Sequence, residues 1–215
     1  MKSHQIKKLS VLAMLTAFAY VVLCFLRFPI VLFLKYEPKD VIITIGGFLY
    51  GPLAAFGVSV VVSFLEMITI SDTGWIGMVM NILSTCSFAC TAAYFYKKRH
   101  TLSGAITGLL FGIVLMVAVM LAWNYVLTPL YMGQSRSDIA AMLVPVFLPF
   151  NLIKGCLNGA ITALLYRPLV QGLRKAGLFP KSERATSLNS GSMIAFYAFA
   201  LIMLGASLAA IYFLT

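Results

Sequence analysis

The sequence predicts an all-α integral membrane protein: a compact six-helix transmembrane bundle followed by an extra C-terminal transmembrane helix. Three observations lead there. Of the 215 residues, 61% are hydrophobic and only 10% charged, whereas soluble domains carry about 25% charged residues. Mean hydropathy is +0.98, and the deficit of charge extends along the whole chain. Apolar segments of crossing length alternate with short charged or Gly/Pro-marked breaks, the pattern of helices that satisfy their own backbone polar groups in hydrocarbon.

The first segment runs from about residue 9 to 26, after Lys7 and Lys8. It resembles a signal peptide, but no convincing small-x-small cleavage site follows and Leu23 before Cys24 is too large for lipoprotein processing, so it reads as a retained helix. Residues 27–38 mix apolar side chains with charges and are expected to fold onto the protein. The second segment, about 39–50, is short for a crossing and ends at Gly46-Gly47 and Gly51-Pro52, which are turn signals. A third helix follows to about residue 70. Ser71-Asp72-Thr73-Gly74 then turns the chain, with Asp72 suited to cap the fourth helix, about 75–96. Lys97-Lys98-Arg99-His100 forms the next break. The fifth helix covers about 102–131 and the sixth about 139–166, where Pro145 and Pro149 should bend its early part near Asn151. Residues 1–175 thus form the bundle domain, 176–191 a polar cytoplasmic linker, and 192–215 the additional helix. No internal repeat is visible.

Charge sets the orientation. With the N-terminus in the cytoplasm, inner segments hold Lys2, Lys7, Lys8, Lys97, Lys98, Arg99, Arg167, Arg174, Lys175, Lys181 and Arg184, and outer ones only Arg27, Lys35, Lys39 and Arg136. That bias puts the N-terminus on the inner side of the cell membrane, and a seventh helix then puts the C-terminus outside. The formal charge of +10 is explained by this placement, so no nucleic-acid partner is implied. In this frame the intramembrane polar residues Glu66, Asn81, Asn124, Thr128, Asn151 and Lys154 lie toward the outer half or midplane. The inner half carries small-residue packing patterns: Ala13-x-x-x-Ala17, Ala89-x-x-x-Ala93 and Gly104-x-x-x-Gly108-x-x-x-Gly112. One half looks built to hold something, the other to pack.

Several chemistries find no support. There is no phosphate-binding loop, no H-E-x-x-H zinc motif and no G-x-S-x-G elbow, and both histidines sit at segment ends. Cys24, Cys86, Cys90 and Cys156 form no C-x-x-C pair and read as small buried hydrophobes, with neither disulfide nor metal. The chain reads as a protein without catalytic residues or a resident cofactor.

The most informative residue is Lys154, in Pro149-Phe-Asn-Leu-Ile-Lys-Gly-Cys-Leu-Asn158. Positions 151, 154 and 158 share a helix face, so two amides and an ammonium point the same way. A cation this deep costs several kcal/mol without a partner, and marks a functional site by default. The alternatives are an internal ion pair, with Glu66 or Asp72 as neutralising groups, or snorkelling, which the distance to the segment's polar ends opposes. Asn124, Asn151, Asn158 and Lys154 together suit a neutral heterocycle with an imide edge, because asparagine both donates and accepts. Singly, each asparagine reads better as an interhelical bond. Trp75 and Trp123 could stack on such a ligand, although Trp75 at a segment end reads as an interfacial anchor. A self-sufficient transporter, with Glu66 and Lys154 coupling protons or ions, is the rival reading.

Tyr36-Glu-Pro-Lys-Asp40, Glu66-Met-Ile-Thr-Ile-Ser-Asp-Thr-Gly74, Trp123-Asn-Tyr125 and Pro149-Phe-Asn-Leu-Ile-Lys-Gly155 resemble, in that order, the riboflavin-specific substrate-binding component of energy-coupling factor (ECF) transporters. The resemblance spans about residues 5–175. It implies a six-helix bundle that captures riboflavin from outside with high affinity and imports it with a transmembrane scaffold subunit and two ATPases. It implies hydrogen bonds from Asn124, Asn151 and Lys154 to the vitamin, with Leu34, Tyr36 and Lys39 as further contacts from the covering loop. Ala13 and Ala17 match the alanine pair that docks the scaffold. The seventh hydrophobic segment departs from the family pattern.

Overall fold

In the computed structural model, residues 2–32, 34–177 and 190–214 are described; most of the expected linker lies outside them. Helix α1 (Lys2–Phe25) leads into an antiparallel hairpin of β1 (Phe28–Val31) and β2 (Leu34–Tyr36). Then come α2 (Lys39–Tyr50), α3 (Pro52–Thr69) and a long rod made of α4 (Gly74–Thr85), a π-helical stretch Cys86–Cys90 and α5 (Thr91–Arg99). Helix α6 (Leu102–Met132) returns. A second rod joins α7 (Arg136–Met142), π-helical Leu143–Phe147 and α8 (Leu148–Lys175), and α9 (Ser190–Leu214) closes the described chain. Six rods and an additional C-terminal helix match the expected architecture. Six of these seven, α9 included, are long and apolar enough to cross a membrane.

Helix α2 is the exception, and it is the centre. At about 1.5 Å per residue its 12 residues cannot span hydrocarbon about 30 Å thick. It has no need to face lipid: every residue from Lys39 to Phe48 is buried, against α1, α3, α5 and α8. The Gly46-Gly47 pair does not end the helix as the sequence suggested; it lets neighbours approach. A Cβ on Gly47 would stand 2.9 Å from the Ala93 Cβ and 3.0 Å from the Ala55 Cβ. The turn comes at Gly51, whose φ of 92° favours glycine, and Pro52 opens α3.

The hairpin went unread because Pro29 interrupts β1 and argues against a strand. Pro29 pairs with Lys35 beside a register irregularity at an edge. No sequence signal marked the π-helical stretch at Cys86–Cys90. The second one contains Pro145, whose missing N–H disrupts the helical ladder. Asp72 does not cap α4: Thr73 holds that position and no side chain bonds the free amides. Cys24 is exposed and Cys86, Cys90 and Cys156 are half-buried free thiols, so the fully buried reading fails.

Away from the hairpin, small residues let α6 seat against α5. A Cβ on Gly108 would lie 2.7 Å from the Ala92 carbonyl oxygen, and one on Gly112 2.7 Å from that of Phe88. Ala89 and Ala93 are fully buried. Ala13 and Ala17 behave differently: both are exposed on α1. Gly112→Val should therefore overpack the α6 contact and lower stability by about 1–3 kcal/mol, read as a lower Tm of the detergent-solubilised protein. Gly57→Ala, with open space at its Cβ, should not.

Candidate functional site

The polar interior begins at the first turn of α2, where Lys39 and Asp40 are both 0% exposed. Charges removed from water need excellent pairing, and each has it. Lys39 Nζ lies 2.8 Å from Glu37 Oε2 and pairs with Glu66 of α3. Glu37 Oε1 is 3.0 Å from Arg27 Nε, and Arg27 Nη1 donates to the Ile70 carbonyl at 3.2 Å. This chain ties both flanks of the hairpin to α3. Burial pushes the Glu37 carboxyl up, but Lys39, Lys154 and Arg27 outweigh it and hold it below its ordinary value. A carboxyl so lowered stabilises the fold above the ordinary glutamate range and loses that contribution only as pH falls through its folded value.

Asp40 organises the second half. Its Oδ1 accepts from Thr85 Oγ1 at 2.6 Å. Its Oδ2 accepts from Asn158 Nδ2 at 3.2 Å and faces Lys154 Nζ at 3.4 Å. Lys154 also reaches Ser84 Oγ at 3.4 Å. Asn158 Oδ1 accepts from the Tyr36 hydroxyl at 2.9 Å, so the hairpin is stitched to α8. Burial, with Asp40 nearby, raises the Tyr36 pKa well above its ordinary value, which keeps the phenol a donor.

Above this floor, at the hairpin end, lies a cavity of about 360 Å³, within the usual range for small-molecule sites. Leu34, Lys35 and Glu37 come from the hairpin side; Glu66, Met80, Asn81 and Ser84 from α3 and α4; Met120 and Asn124 from α6; and Phe147, Phe150, Asn151 and Lys154 from the last rod. Asn124 Nδ2 donates to the Met120 carbonyl at 2.8 Å and its Oδ1 accepts from Thr128. Asn151 Nδ2 donates to the Phe147 carbonyl at 2.7 Å. Both amides are thus braced by their own helices and keep a further N–H, and the Asn151 carbonyl oxygen takes no bond among the described residues. The walls between are methionine and phenylalanine, which pack adaptably on flat apolar rings.

Comparison with known proteins agrees with this architecture. The family model described as "ECF transporter, substrate-specific component" matches residues 7–166. The chain belongs to that family. It is 32% identical over 182 residues to the riboflavin transporter RibU of Staphylococcus aureus, covering 80% of this chain and 95% of that protein. It is 31% identical to the riboflavin transporter FmnP of Bacillus subtilis, covering 80% and 98%. A solved structure described as the S component of a bacterial ECF transporter is 34% identical, with a TM-score of 0.67 over 79% of this chain and 98% of that one. These relatives are named as transporters rather than enzymes.

Of the residues singled out in the sequence, this S component brings Leu34, Asn124, Asn151 and Lys154 to the cavity wall. Tyr36, Lys39 and Asn158 lie behind it, in the ion-pair and hydrogen-bond network. Lys154 is neutralised by Asp40 rather than by Glu66 or Asp72, because Glu66 is taken by Lys39. Trp75 is 69% exposed, as an anchor requires, and neither tryptophan lines the cavity. Asp40 was missed as a site residue because an acid in a first helical turn reads as a dipole partner. Its burial within an apolar segment was the available signal. Lys39→Met should leave Glu37 and Glu66 facing each other and cost about 3–5 kcal/mol, measured as a fall in Tm. Adding Glu66→Leu should recover part of that loss.

Proposed function

We propose that this S component binds riboflavin in the cavity at the hairpin end and serves as the capture subunit of an energised vitamin importer. The observation that carries the reading is the wall itself: two braced amides and an ammonium, interleaved with methionine and phenylalanine side chains from the same rods. The flavin ring system needs both, an apolar tricycle beside a pyrimidinedione edge that alternates donors and acceptors. Asn151 and Asn124 match that alternation, and Lys154 donates to a carbonyl. The names of the relatives support the same ligand.

The remaining machinery follows from the family and from what the chain lacks. It has no phosphate-binding loop, so energy comes from elsewhere: a transmembrane scaffold subunit and two cytoplasmic ATPases. With the N-terminus inside, the cavity opens outward. Ala13 and Ala17, outward-facing on α1, give the scaffold a small-residue surface for close helix contact. The rival, an ion-coupled transporter working alone, is weakened because Lys39–Glu66 and Lys154–Asp40 already neutralise each other.

Asn151→Ala should weaken riboflavin binding about tenfold or more, the loss from leaving one polar contact unmade, with little change in Tm. Lys154→Ala should weaken it as much and also lower Tm, because it leaves the buried Asp40 without its counter-charge. Unchanged affinity in both variants refutes this site. In proteoliposomes, riboflavin uptake should require the scaffold and ATP; uptake by the chain alone under a proton gradient supports the rival instead.

A further inference from the structure

We infer that α9 is a buttress for the hairpin, and that Leu204 and Ile211 are positioning residues for ligand retention. The ligand half of this inference rests on the proposed riboflavin site; the buttress half does not. Helix α9 lies beyond the stretch shared with the family, which ends at residue 166. A helix added only as an anchor would need no particular partners. This one has two sets.

Its first turns are built into the main core, where Phe196 and Ala200 are fully buried. Farther along, Leu204, Ala210 and Ile211 pack against a separate cluster formed by Ile30, Val31 and Tyr36 of the hairpin with apolar residues of α8. Contact between α9 and β1 is direct. The helix therefore crosses the whole bundle and ends beside the hairpin.

Two short strands are marginal by themselves and depend on an apolar surface to pack against. The hairpin contributes Leu34, Lys35 and, just beyond, Glu37 to the cavity, and Leu34 also packs on the apolar cluster that Leu204, Ala210 and Ile211 of α9 cover. Whatever steadies that cluster steadies the cover over the ligand. Removing part of the α9 surface should let the cover open more often and shorten ligand residence, with every group that touches the ligand still present.

The test uses the full chain carrying Leu204→Ala with Ile211→Ala, with Ile211→Val as a milder variant should the double variant fold poorly. Phe196→Ala, at the far end of the same helix, is the control. Without ligand, hydrogen exchange of Phe28–Val31 and Leu34–Tyr36 should accelerate in the hairpin-end variants and not in the control. Riboflavin dissociation, followed by fluorescence, should speed up about tenfold in the double variant, while Phe196→Ala lowers Tm and leaves dissociation alone. Unchanged exchange overturns the buttress. Faster exchange with unchanged dissociation overturns the retention role, and equal effects from Phe196→Ala reduce α9 to general stabilisation. If the wild type binds no riboflavin, the ligand reading fails and with it the retention role, and the exchange measurement still decides the buttress.

Discussion

The rest of the structure depends on the neutralisation of Lys39 and Asp40, both fully buried in the bundle. Opposite charges on adjacent residues at the head of α2 face different ways and gather different partners. Lys39 collects Glu37 and Glu66; Asp40 collects Thr85, Asn158 and Lys154. Breaking one such pair costs more than the pair itself contributes, because a bare charge is left behind in a poor solvent. The network therefore specifies where α2, α3, α4, α8 and the hairpin meet, more than it adds raw stability. A short helix that could not span a membrane becomes the post around which longer ones are arranged.

This constraint also shapes the cavity. Lys154 is tethered to Asp40 and Ser84 at distances long for strong bonds, so its ammonium is neutralised yet still exposed to the cavity. Asn124 and Asn151 are oriented by carbonyls of their own helices, one turn back. The polar wall is thus organised before any ligand arrives, which reduces the ordering cost of binding. Met80 and Met120, set among the polar groups, supply the adaptable surface. Close packing through Gly108 and Gly112 belongs to the opposite half, and leaves the hairpin half free to enclose space.

Much of this was legible in the chain. Hydropathy and Gly/Pro punctuation located every rod and most of their ends, since a membrane forces long helices to advertise themselves, although α1 starts at Lys2 rather than near residue 9 and the last rod runs on to Lys175 rather than stopping near residue 166. The spacing of Asn151 and Lys154 placed them on one face. What failed to show was what tertiary context alone decides. Gly46-Gly47 looks like a break and is a contact surface. Pro29 conceals a strand that survives at an edge, and Asp40 resembles an ordinary helix-start acid until its burial is known. Tyr36, Lys39 and Asn158 were singled out as ligand contacts, and the sequence could not say that Tyr36 bonds Asn158 and Lys39 pairs with Glu37 and Glu66 behind the wall.

Hairpin, polar floor and apolar walls form one device, a prearranged enclosure for a flat, hydrogen-bonding ring. The measurement that tests this most directly is a fluorescence titration of riboflavin with the purified chain, alone in detergent and without ATPase partners. The account requires saturable quenching at one flavin per chain. A folded protein that leaves flavin fluorescence unchanged at micromolar concentration contradicts it.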